Sequence, residues 1–93
     1  MNLPVDYTKL TQREQKAVRE EYVRVQGGKC SYCDKPLTDN ADDIVMKAKI
    51  NVKLFPIGFF KSPVHLHHSH ATGLTIGAVH SRCNAALWQY HGE

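Results

Sequence analysis

The chain is 93 residues long and carries a formal net charge of +3 at pH 7. A chain this short forms one domain at most, and its small core often needs a metal ion or disulfides as a staple. Three cysteines do not suit a disulfide framework, and no apolar run approaches the roughly eighteen residues of a membrane span. We therefore expect a single soluble, cytoplasmic domain over residues 1–93 that does not contact a membrane.

The positive charge is concentrated in the second half of the chain. Residues 1–45 hold seven basic residues against eight acidic ones, whereas residues 46–92 hold five basic residues and no acid. The five are Lys47, Lys49, Lys53, Lys61 and Arg82. This distribution favours a polyanionic partner, although a solvated lysine face produces the same pattern.

A helix is predicted over residues 12–26. Thr11 and Glu14 have the spacing of a capping box, in which the two side chains satisfy free backbone N–H groups at the helix start. Gly27 and Gly28 end the helix. Its narrow apolar stripe consists of Val18, Tyr22 and Val25. The opposite face mixes both charges, which is typical of a solvent-exposed surface and less often of phosphate contacts.

Two pairs of metal-binding residues follow at equal spacing. Cys30 and Cys33 form a CxxC knuckle, and His80 and Cys83 repeat the two-residue gap about fifty residues later. Four such ligands make a closed tetrahedral site, the usual arrangement for structural Zn²⁺. Two alternatives are three free buried thiols beside an unrelated histidine, or a redox CxxC, which lacks a surrounding βαβ pattern here.

The middle of the chain is predicted to contain a strand. Apolar and polar residues alternate from Met46 to Leu54, which indicates a half-buried strand with a basic outer face, preceded by an acidic loop over residues 39–43. The following segment, 55–60, is apolar but broken by proline and glycine. We expect it to be a turn that adds aromatic side chains to the core, and stacking of Phe59 or Phe60 on a nucleobase is the less favoured alternative.

The last third of the chain is predicted to form two strands and a helix. Val64 to His68 and Leu74 to Val79 are short strands, joined by a turn at Thr72-Gly73. Arg82 to Tyr90 is a helix that packs through its small apolar residues. The predicted class is α+β.

The segment from Val64 to Asn84 holds five histidines, one cysteine and no acid in twenty-one residues. It reads His67-His68-Ser69-His70, then Thr72-Gly73, then His80-Ser81-Arg82-Cys83-Asn84. With the upstream knuckle, this order resembles the HNH, or ββα-metal, endonucleases, and most closely the phage recombination endonuclease VII branch. The resemblance covers residues 27–90. It implies a zinc-stabilised ββα-metal core at residues 64–90, to which the chain adds its N-terminal helix and the basic strand.

The resemblance also implies roles for four residues. His68 corresponds to the general base that activates the attacking water, and His70 to a histidine near the scissile phosphate. His67 and Asn84 correspond to the ligands of a catalytic divalent metal ion. His67 replaces an aspartate of the family pattern, and Mg²⁺ prefers oxygen ligands, so we expect Mn²⁺, Co²⁺, Ni²⁺ or Zn²⁺ to support activity better.

Some positions leave alternatives open. His65 is either a third metal ligand, a phosphate contact or, more in keeping with its type, a surface histidine. The residue that positions the catalytic general base in many HNH enzymes has no clear counterpart in this sequence. Thr72 and Thr75 are the two candidates.

The expected function is metal-dependent hydrolysis of DNA by a phage-encoded enzyme of low sequence specificity, and the resemblance leaves a homodimer as an option. Its backbone contacts are expected from Lys47, Lys49, Lys53 and Arg82. A zinc-stabilised nucleic-acid-binding module without catalysis is the alternative from another class. A zinc-ribbon domain that binds another protein is a third, which the basic second half disfavours.

Overall fold

The computed structural model of the protein describes residues 1–92. They form three α-helices and a two-stranded antiparallel sheet. The helices are α1 (Gln12–Val25), α2 (Asp43–Lys47) and α3 (Ser81–His91), and the strands are β1 (Val64–His68) and β2 (Thr75–His80). The α+β class, α1, both strands of the sheet and α3 are confirmed. Within residues 1–92, no helix combines the length and the apolar character that a membrane crossing requires.

Helix α1 begins where the local signals place it. The Thr11 hydroxyl accepts a hydrogen bond from the Glu14 N–H, and the Glu14 carboxylate accepts one from the Thr11 N–H. This reciprocal pair is the predicted capping box. Val18 and Tyr22 are buried against the sheet, whereas Val25, the third residue of the predicted apolar stripe, is exposed. The buried face is therefore shorter than the sequence pattern indicated.

The sheet is extended by the N-terminal segment. The Thr75 N–H donates to the Val5 carbonyl, and the Tyr7 N–H donates to the Gly73 carbonyl. The Thr75 hydroxyl accepts from the Val5 N–H and lies 2.8 Å from the buried Tyr22 hydroxyl. Thr75 is thus a structural link between α1, β2 and the N-terminal segment.

The predicted strand over residues 46–54 is wrong. Residues 43–47 form α2, capped by the Asp42 carboxylate on the Ile44 N–H, and Val52–Leu54 is a 3-10 turn. Alternation alone does not make a strand, because a strand also needs a neighbouring backbone. Here the neighbours are side chains of α3. The Gln89 amide donates to the Lys49 carbonyl and accepts from the Asn51 N–H.

Arg82 holds the same segment in place. Its guanidinium Nη2 donates to the carbonyls of Met46 (3.2 Å) and Ala48 (3.1 Å). These bonds attach the start of α3 to the end of α2. The contacts favour a structural role for Arg82 over the phosphate contact predicted for it.

Gln26 performs a comparable function at the edge of β2. Its side-chain oxygen accepts from the Ala78 N–H at 2.9 Å, and its side-chain nitrogen donates to the Ala78 carbonyl at 3.0 Å. The amide therefore occupies the place of an adjacent strand and connects the end of α1 to the sheet. A Cβ at Gly77 would lie 2.9 Å from this oxygen and 2.8 Å from the Ser31 hydroxyl, so the close approach requires glycine.

We expect Gln26→Ala to destabilise the protein by about 1–3 kcal/mol, because it leaves the backbone groups of the fully buried Ala78 without this partner. Urea unfolding followed by circular dichroism measures the change. Gln12→Ala, an exposed glutamine at the start of the same helix, is the matched control and should shift stability by less than about 0.5 kcal/mol. Equal effects of the two substitutions would contradict the role given to Gln26.

Candidate metal centre and histidine cleft

The four predicted metal ligands come together. The sulfur atoms of Cys30, Cys33 and Cys83 and a ring nitrogen of His80 all lie within 4.8 Å of one another. The first two come from the knuckle after α1, His80 ends β2, and Cys83 lies in the first turn of α3. Cys30, His80 and Cys83 are buried in the core. The cluster therefore joins three parts of the chain: the knuckle, the end of β2 and the start of α3.

The orientation of His80 suits metal binding. Its Nε2–H donates to the Pro36 carbonyl at 2.9 Å, which leaves Nδ1 as the free lone pair. Nδ1 lies 3.4 Å from the Cys33 sulfur and 3.6 Å from the Cys83 sulfur. A metal-binding histidine typically has its other ring nitrogen fixed in this way. The Tyr32 N–H also donates to the Cys30 sulfur, as expected of a thiolate ligand in a knuckle.

The pKa values of the Cys30 and Cys83 thiols are shifted in opposite directions. A hydrogen bond from the Cys83 thiol lowers the pKa of Cys30, and the same contact, together with burial, raises the pKa of Cys83. A thiolate is the form that binds metal, and a bound cation would release the remaining protons. Three sulfurs and one imidazole nitrogen form a closed donor set, compatible with a structural Zn²⁺ or another thiophilic ion.

A second group of predicted residues lines one cleft of about 510 Å³. His67 and His68 reach it from the end of β1, His70 from the turn that follows, and Asn84 from the first turn of α3. His67 is buried, and His70 is exposed. The cleft also includes His65. All four residues to which the sequence assigned catalysis or catalytic metal binding therefore face the same space.

The pairing of β1 with β2 is irregular at the point where two adjacent histidines enter the cleft. Neighbouring residues of a regular strand point to opposite faces. The register against β2 shifts between His67, which pairs with Gly77, and His68, which pairs with Thr75. Such a bulge re-aims a side chain and is common beside active sites. The extra residue of the bulge is Ile76 in β2, and both His67 and His68 line the cleft beside it.

His68 lies flat against Tyr7. Their ring centroids are 3.8 Å apart and the planes differ by 5°. Burial lowers the pKa of His68, and the nearby His70, with its ring centroid 5.0 Å away, lowers it further. Both effects favour the neutral form of the His68 ring, which keeps one ring nitrogen able to accept a proton. No sequence signal marked Tyr7, because its position depends on the pairing of residues 5–7 with the sheet.

His65 lines the cleft. The sequence pattern favoured a surface histidine at this position, and that prediction is wrong. His65 is half-buried, and the Asn84 amide donates to its Nδ1 at 3.1 Å. Burial is the main cause that lowers its pKa, and the positive charge of Arg19 adds to the shift. The i, i+2 spacing of His65 and His67 in β1 was the signal for this placement.

Arg19 and Gln15 were missed as cleft residues. Both lie on α1 and line the cleft, on the helix face that the sequence had assigned mainly to solvent. By contrast, Lys47, Lys49 and Lys53 are exposed and do not line it. Of the two residues considered as a brace for the base, Thr75 is held in the core by Val5 and Tyr22, and Thr72 accepts from the Leu74 N–H.

Comparison with known proteins found no matching family model, no matching curated protein and no matching solved structure. The chemistry of the cleft and of the cysteine cluster is therefore argued from the residues of this chain.

Proposed function

We propose that the protein is a metal-dependent endonuclease that hydrolyses phosphodiester bonds of DNA in the histidine cleft. The observation that carries the proposal is the convergence of His67, His68 and Asn84 in one cleft. They lie on a strand, its irregular end and the helix after the second strand, which is the order that the HNH resemblance implies. The Cys3His cluster, with Zn²⁺ as the proposed ion, holds the start of this helix against the knuckle and so keeps Asn84 in position.

The donors in the cleft fit a borderline divalent ion better than Mg²⁺. None of the residues that line the cleft is Asp or Glu, so the side-chain donors there are imidazole nitrogens, the amides of Gln15 and Asn84, and the hydroxyls of Tyr7 and Ser62. Mn²⁺, Co²⁺, Ni²⁺ and Zn²⁺ accept such ligands more readily than Mg²⁺ does. His67 and Asn84 would hold the ion. Such an ion, when bound, stabilises the charge that develops on the phosphate and the leaving oxygen.

His68 is suited to take the proton of the attacking water. Its lowered pKa favours the neutral ring, and its stack on Tyr7 holds the plane of the ring in one orientation. A general base works best when it is unprotonated at the working pH and positioned within reach of the water. His70, exposed at the cleft mouth, can donate a hydrogen bond to a phosphate oxygen.

The electrostatics of the cleft suit a phosphate. Arg19 supplies a fixed positive charge at its wall, and residues 46–92 contain no acid that would repel the DNA backbone. The exposed Lys47, Lys49 and Lys53 add sequence-independent attraction outside the cleft. Recognition of this kind predicts affinity that falls with salt and little dependence on base sequence.

A switch of metal preference tests the proposal. Protein that retains its tightly bound metal is incubated with supercoiled plasmid and a weak chelator, and then with Mn²⁺, Co²⁺, Ni²⁺, Zn²⁺ or Mg²⁺. Wild type should nick the plasmid with the first four and hardly with Mg²⁺. His67→Asp provides a carboxylate ligand and should raise the Mg²⁺-supported rate by about tenfold or more.

His67→Asn is the matched control, because it has the shape of aspartate without the charge and should not respond to Mg²⁺. If the metal-ion preference of the nicking activity changes with His67→Asp, the activity belongs to this protein and not to a contaminating nuclease. If no ion supports nicking while the plasmid still shifts on a gel, the non-catalytic binding module is the correct interpretation.

A further inference from the structure

One wall of the histidine cleft is aromatic. Phe55, Phe59 and Trp88 line it together with the histidines. Phe55 lies 4.7 Å from Phe59 and 6.0 Å from Trp88 between ring centroids, and Phe59 contacts His65 edge-on at 4.6 Å. The sequence placed the aromatics of residues 55–60 in the core, but they form a separate group outside the buried core cluster.

The wall is partly open to solvent. Trp88 is 45% exposed although it is the largest apolar side chain of the protein, and its ring stands at 89° to that of His70. The turn beside it exposes more apolar surface, because Val52, Leu54 and Ile57 are all more than half accessible. Contiguous apolar surface of this kind, next to a polar cleft, marks a binding site more often than chance exposure.

The surroundings of the wall are cationic. Lys53 lies in the same 3-10 turn as Leu54, and Lys61 approaches Gly58 closely enough that a Cβ there would be 3.7 Å from the lysine Cδ. Arg19 lines the same cleft. A partner that is apolar alone, such as an apolar peptide, would gain nothing from these charges. A nucleotide has both a π face and a phosphate, so its chemistry matches the aromatic wall and the cations together.

We propose that the aromatic wall, formed by Phe55, Phe59 and Trp88, stacks an unpaired nucleobase while the adjoining phosphate lies among the histidines. The substrate class is DNA that contains a single-stranded segment, such as a single strand or a flap. Continuous duplex is disfavoured, because its bases are stacked on each other and offer no free face unless one is flipped out. Cleavage of such DNA rests on the proposed nuclease function, whereas binding of the unpaired base to the aromatic wall does not depend on it.

Trp88 provides a direct test, because it is the only tryptophan of the chain. The wild-type protein, with its tightly bound metal retained and no divalent ion added, is titrated with oligothymidylate and with a hairpin duplex of equal nucleotide content. Stacking should quench Trp88 fluorescence with the single strand at concentrations where the duplex has little effect. Equal quenching by both, or binding of the single strand without quenching, would overturn the inference.

Variants of Trp88 separate stacking from packing. Trp88→Leu keeps an apolar side chain without a π face and should weaken single-strand binding by about 5- to 100-fold in fluorescence anisotropy with a labelled oligonucleotide. Trp88→Phe should restore most of the affinity. Tyr90→Leu, at an exposed aromatic residue that does not line the cleft, is the control and should bind as wild type does. Thermal melts confirm that each variant is folded.

The outcomes separate the two proposals. If single strands quench Trp88 fluorescence but no divalent ion supports cleavage, base stacking on the aromatic wall stands and the proposed nuclease activity is rejected. If the protein nicks plasmid, but Trp88→Leu and wild type bind single strands equally well, the proposed nuclease activity stands. Base stacking on the aromatic wall is then rejected.

Discussion

Loss of metal from the Cys3His cluster is expected to unfold the protein. The cluster lies in the core, and its four ligands join the knuckle, the end of β2 and the start of α3. Binding of structural Zn²⁺ to comparable sites in small domains contributes about 10–16 kcal/mol at pH 7, which is as large as the whole stability of a typical domain. Cys83→Ser should therefore abolish cooperative folding, and a strong chelator should do the same to the wild type.

Circular dichroism melts, together with elemental analysis of the purified protein, measure both effects. Wild type should contain one tightly held metal ion per chain, and Cys83→Ser should contain none. His91→Ala is the matched control, since His91 is an exposed histidine at the end of the same helix, and it should retain both the metal and the melting temperature. A metal-free protein that still melts cooperatively would show that the three cysteines are ordinary core residues.

His68→Ala is expected to lower the rate of plasmid nicking by about 10²–10⁴-fold, the usual contribution of a positioned general base. The change removes the neutral imidazole that stacks on Tyr7 and leaves the Cys3His cluster untouched. Affinity for the plasmid and the melting temperature should therefore change little. Initial rates with Mn²⁺ measure the nicking, gel shifts measure the plasmid affinity, and thermal melts measure the melting temperature, all on the same preparations.

His91→Ala again serves as the control and should nick at the wild-type rate. Equal rates for His68→Ala and wild type would assign the proton transfer to another group, such as His65 or His70, which also line the cleft. A parallel loss of plasmid affinity would instead indicate that His68 binds phosphate.

The elements that the sequence predicted correctly are those with local causes. The capping box at Thr11 and Glu14 acts between residues three positions apart and places the start of α1 without help from the rest of the chain. The two pairs of metal ligands are likewise recognisable from spacing, because each pair must present its donors from a single turn of chain. The predicted bounds of β1 agree with the structure, and those of β2 and α3 differ by one residue at each end, because short strand and helix patterns bounded by a glycine turn are local signals.

The tertiary structure decided what depends on partners distant in sequence. Residues 46–54 alternate as a strand does, yet Arg82 and Gln89 of α3 take the hydrogen bonds that a neighbouring strand would have made. Arg19 reaches the cleft only because α1 packs across the sheet, and Tyr7 reaches His68 only because the N-terminal segment pairs with β2. The sequence by itself determined which chemical groups this protein carries and most of its local elements. Which groups meet was decided by packing, because contacts between remote segments leave no periodic signal in the chain.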